Sequence, residues 1–74
     1  MSLAGVQPGA RLRITGVRSG SPLSYRLMEL GLIEGAEVQL VRRAPLGDPL
    51  HVRLGDYDLS LRVSEAALID VAAV

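Results

Sequence analysis

The side chains able to do chemistry in this sequence are few and poorly matched. There is one histidine, His51, and no cysteine, so neither a Ser-His-Asp nor a Cys-His relay can be built around a nucleophile. A transition-metal site takes three or four N, O or S donors. None stands at ligand spacing from His51, whose near neighbours are Pro49, Val52 and Arg53. Asp56 and Asp58 are close in sequence, but they belong to a hairpin tip, where carboxylates serve as polar surface. No glycine-rich loop joins a strand to a helix, so a phosphate cradle is missing too. These gaps point away from an enzyme, a bound cofactor or an intrachain metal.

Binding is what remains. Arg11, Arg13, Arg53 and Arg62 fall on the outward phase of the strands described below, the stripe that a small RNA-binding barrel would need. Glu37, Asp58 and Asp70 share that phase, and the chain as a whole has eight basic and eight acidic residues, a formal net charge of zero. Without a net field there is little to draw the chain onto a polyanion. Two tyrosines and no Trp or Phe leave few rings for stacking bases, lining a proline-rich-peptide groove or caging a cation. A small nucleic-acid-binding barrel is therefore the second reading and protein contact the first. Tyr25, Met28 and Leu46 are apolar residues without an evident core position.

The elements that must hold these residues can be read from periodicity. Leu12 and Ile14 alternate with Arg11, Arg13 and Thr15, which predicts a strand over 11–17. Ser19-Gly20-Ser21-Pro22 stops it, and Ser21 followed by Pro22 makes an N-cap and first-turn pair for a helix. Leu23, Leu27 and Leu30 at i, i+4 and i+7 give that helix an inner face. Gly31 then provides the left-handed residue of a Schellman ending, with Leu32 touching Leu27. A second strand is expected over 36–43, with Val38 and Leu40 inward and a bulge or a bend at Val41, where the alternation breaks. The stretch from Ala44 to Pro49 contains two prolines and Gly47-Asp48, so it is a loop.

Residues 50–54 and 57–63 alternate cleanly around Gly55-Asp56, which predicts a type II′ hairpin. The register then sets Leu54 against Tyr57, Arg53 against Asp58, Val52 against Leu59, His51 against Ser60 and Leu50 against Leu61. Ser64 is expected to cap one helical turn before a last strand over 68–71. Residues 5–14 and 31–40, GVQPGARLRI and GLIEGAEVQL, reuse one turn-into-strand device, with Gly9 and Gly35 at the position that needs a positive φ. Seventy-four residues suit a single domain spanning 1–74. Five short strands in that length are too few for two packed sheets, so the expected fold is all-β: a small, strongly bent barrel with one helix inserted between the first two strands. The interior is read as Leu12, Ile14, Val38, Leu40, Leu50, Val52, Leu54, Leu59, Leu61, Ile69 and Val71, with Leu23, Leu27 and Leu30 from the helix. The sequence shows neither an apolar run of membrane-spanning length nor a basic-then-apolar leader, and a cytoplasmic location is expected.

The stretch YRLMELGL at 25–32, Gly35, and RAPLGDP at 43–49 closely resemble FeoA, the small protein of bacterial ferrous iron uptake. Leu61-Arg62 and Ala67-Leu68-Ile69-Asp70-Val71 add to the match, which runs from Arg13 onward. Glu34 stands where proline is commoner in that family. The resemblance implies an SH3-like barrel and a non-enzymatic, cytoplasmic partner of FeoB, the iron permease carrying a G-protein domain. It leaves room for self-association and transfers no catalytic, cofactor or metal residues. On this reading Tyr25, Met28 and Leu46, rimmed by Arg26 and Glu29, are the partner-contact residues, on the helix and the loop from Ala44 to Pro49.

Overall fold

The computed structural model describes every residue except Ser19; the stop read at Ser19-Gly20-Ser21-Pro22 thus begins outside the described residues. Five strands make one antiparallel sheet. They are β1 (Arg11–Val17), β2 (Glu37–Arg43), β3 (Leu50–Leu54), β4 (Tyr57–Leu61) and β5 (Ile69–Ala73), in the order β4-β3-β2-β1-β5. Helix α1 (Pro22–Glu29) lies between β1 and β2, and the single turn α2 (Val63–Ala66) joins β4 to β5.

Two register shifts bend the sheet. One falls between Leu40 and Arg42, so that of the bulge or bend expected at Val41 the structure has a bulge. The other, between Ile14 and Gly16 in β1, has as its only sequence signal the glycine within the strand. Bulges increase local twist, and the bent sheet wraps one core. The β3–β4 register matches the five pairs expected, and Gly55 has φ +60°. Gly9 and Gly35, at φ +90° and +92°, perform the same turn twice.

Of the barrel positions read as interior, only Leu59 departs: it is half-buried, because β4 is an edge strand and lacks a second neighbour to cover it. The N-terminal segment, which carries no periodicity, contributes more than the sequence suggests. Leu3, in a 3-10 turn (Leu3–Gly5), and Val6 are buried. Arg43 fastens the segment by donating from Nη2 to the carbonyls of Ala4 (2.6 Å) and Val6 (2.9 Å). The outer edge of β5 is covered by the first residues, through a Ser2–Asp70 bridge and a bond from Val71 N–H to the Met1 carbonyl.

Both helices differ in detail from expectation. In α1 the buried stripe is Ser24 and Leu27, with Leu30 half-buried. Leu23, read as core, is also only half-buried. Ser24 occupies the inner face instead because its polar groups are satisfied locally: its N–H reaches the Ser21 hydroxyl (3.3 Å) and its hydroxyl donates to the Ser21 carbonyl (2.7 Å). The N-cap of α2 is Arg62, not Ser64. Carboxylates take the orphan donors there: Glu65 accepts from Arg62 N–H (2.8 Å) and Asp48, from the loop after β2, accepts from Val63 N–H (3.0 Å). Turning the chain at Arg62 ends β4 at Leu61, two residues earlier than read.

Candidate functional site

The end of α1 is built as a Schellman motif, with Gly31 N–H on the Met28 carbonyl (3.0 Å) and Leu32 N–H on the Leu27 carbonyl (3.1 Å). Leu27 and Leu32 are both fully buried. Two side chains pin the helix from outside. Tyr57 O–H donates to the Leu30 carbonyl, and Arg26 pairs with the buried Glu65 of α2 at 3.6 Å. Arg26, read as a rim residue for a partner, is thus already engaged within the chain. Glu29 is exposed, Met28 is half-buried, and Tyr25 stands 65% exposed.

The 44–49 loop is held at its base by Ala44 N–H to the Pro49 carbonyl (3.0 Å) and closed by Gly47 N–H to the Ala44 carbonyl (2.7 Å). At its tip Leu46 is 97% exposed, an apolar side chain held in water by a fastened loop. Asp48 ties the loop to α2, and Glu65 ties α2 to α1. The helix and the loop that the sequence named as contact elements therefore meet on one short element. Asp48 and Glu65 were missed as positioning residues. Glu65 carries a faint signal, since it stands three residues after its cap; Asp48 acts across fifteen positions and carries none.

On the other side of the loop is an open hollow of about 330 Å³, bounded by Ala44, Pro45 and Pro49 and by Arg42, His51 and Ser60, with Asp58 at its wall. Asp58 accepts from Arg53 Nε at 2.9 Å and stands 3.4 Å from His51 Nε2. The hydrogen bond from Arg53, with lesser help from its charge and from His51, holds the Asp58 carboxyl below the ordinary aspartate range. A carboxyl whose folded pKa lies below its unfolded one contributes stability above the unfolded value and loses it as pH falls through the folded value. Asp58→Asn should therefore make acid unfolding below about pH 4 less steep, measured by denaturant midpoints against pH. An unchanged acid limb would show that the pair contributes nothing in solution. Among the described residues no three His, Asp or Glu side chains gather where they could hold a metal ion, and no helix is long and apolar enough to cross a membrane.

A family model described as the FeoA domain matches residues 1–73. The chain belongs to the FeoA family. A fusion of Fe(2+) transport protein A with the Fe(2+) transporter FeoB, from Porphyromonas gingivalis, is 34% identical across the whole chain. The chain covers only 9% of that fusion's length. The FeoA-like protein of Clostridium acetobutylicum, solved by NMR, superposes with a TM-score of 0.95 at 34% identity, covering all of this chain and 86% of that one. The zinc-complexed FeoA of Stenotrophomonas maltophilia, described as an SH3 domain protein, gives 0.87 at 32% identity, over 97% of this chain and 89% of that one. The five-stranded sheet with its inserted helix is thus the SH3-like fold of FeoA proteins, with no ladder between β4 and β5.

Proposed function

We propose that this FeoA chain is an accessory of ferrous iron uptake that docks on the cytoplasmic side of a FeoB-type permease, contacting it through Tyr25, Met28 and Leu46 with Arg26 and Glu29 beside them. The observation that carries the reading is the Porphyromonas gingivalis relative, in which the matching stretch and a FeoB transporter share one polypeptide. The exposed Leu46 supports the placement of the contact, because a loop closed by its own hydrogen bonds and flanked by prolines loses little entropy on binding. Arg26, held by Glu65, acts here by presenting α1 at a fixed angle. The permease handles iron, and this 1–74 domain contributes contact rather than catalysis.

Binding to FeoB is the test. Leu46→Asp and Met28→Asp should each weaken it about tenfold or more, as loss of a central apolar contact does. Arg13→Ala and Arg53→Ala on the outer strand face should change it by less than about threefold. Normal binding by the two aspartate variants together with loss in the arginine variants would move the contact to the strand face. A shift of RNA or DNA at low salt without any FeoB binding would favour the nucleic-acid reading instead.

A further inference from the structure

The hollow beside the 44–49 loop has a charge imbalance that the docking reading does not use. Among the described residues the one acid lining it, Asp58, is already shared by Arg53 and His51. Arg42, exposed on the opposite wall, makes no ion pair or side-chain hydrogen bond among the described residues. Its position is a product of the bulge in β2. Leu40 pairs with Val52 and Arg42 with His51, so Val41 is the extra residue. Without the bulge, regular alternation would set Val41 opposite His51 and Arg42 opposite Leu50, turning Arg42 toward the core side where Leu50 lies buried. The bulge therefore re-aims a guanidinium onto the outer face next to His51 and Ser60. The facing wall of Ala44, Pro45 and Pro49 is apolar and fixed by the hydrogen bonds of the loop.

We propose that this hollow receives an aspartate or glutamate side chain of the docked protein, its carboxylate on Arg42 and its aliphatic stem against Pro45 and Pro49. The proposal rests on the docking reading above, since Leu46 projects from the loop that forms the apolar wall. Charge complementarity selects the occupant. A planar guanidinium without an acidic partner matches a carboxylate in a two-bond fork, and a wall of two prolines adds contact that a bare inorganic anion cannot use. A cationic side chain would meet Arg42 and the already satisfied Asp58.

Two experiments separate the parts. In FeoB binding, Arg42→Glu should weaken association about tenfold or more and Arg42→Lys by less, with a flatter salt dependence for Arg42→Glu. If Leu46→Asp loses binding while Arg42→Glu keeps it, the acidic subsite is wrong and the docking reading stands. The second measurement needs no permease. NMR titration of the whole chain with N-acetyl-Leu-Glu-amide should move the amide signals of Arg42, Ala44 and His51, while N-acetyl-Leu-Gln-amide moves them several-fold less. Equal shifts from both peptides, no shifts, or the same shifts from inorganic phosphate or an oligonucleotide would overturn the proposal.

Discussion

Leu27→Ala is expected to lower stability by about 3 kcal/mol, within the range for removing three buried carbons from a closed core. Leu27 is fully buried, and its carbonyl accepts the bond that ends α1, so the cavity would open where helix and sheet meet. For a domain of this size that loss is about 12 °C or more in Tm. Leu23→Ala provides the contrast. Periodicity places both leucines on one helical face, yet Leu23 is only partly buried, and its truncation should cost about 1 kcal/mol or less. Thermal unfolding followed by circular dichroism would decide. Equal losses at the two positions would mean that the helix packs on the face drawn from the sequence rather than the one rotated toward Ser24.

Gly31→Ala should be nearly as damaging, at about 2 kcal/mol. The residue has φ +98°, where a β-carbon is strained, and a β-carbon built there would lie 3.0 Å from Tyr57 Oη and 3.2 Å from Leu54 Cδ2. Those neighbours belong to the hairpin that braces the end of α1. Gly35 separates the two causes: its φ of +92° is similar, but nothing lies within 4 Å of such an atom. Gly35→Ala should therefore show the backbone cost alone, about 1 kcal/mol. Matching melting temperatures for the two variants would mean that Tyr57 and Leu54 give way freely.

The contrast between Leu23 and Leu27 also marks where sequence reading ends. Strand alternation and the Gly55-Asp56 turn were enough to set every β3–β4 pair, because register has a period of two and a two-residue turn leaves no slack. A helix has no such pin. Leu23, Leu27 and Leu30 share a stripe by spacing, and a small rotation exchanges Leu23 for a serine that can be buried because its cap satisfies it. The contact residues divide in the same way. Leu46 was legible because prolines and glycine exclude a strand, which leaves an apolar residue at a loop tip. Arg42 was not: the broken alternation at Val41 marks an irregularity, but which side chain it turns outward depends on the pairing of Arg42 with His51 across the sheet. Asp48 at the start of α2 and Arg43 on the N-terminal carbonyls depend on tertiary contacts without local pattern.

The position of β1 governs the order in which this fold can be completed. β1 is made early in the chain, yet it lies between β2 and the last strand, and Val17 pairs with Ile69. At synthesis rates of about 5–20 residues per second, one side of β1 stays without its partner for roughly 3–10 s. The β3–β4 hairpin, by contrast, needs only its own residues and can close within microseconds of being made. The slow event in folding should then be the return of β5 to β1. A nascent chain would meanwhile expose Leu12 and Ile14 on a strand with an open edge, the interval in which aggregation competes with folding.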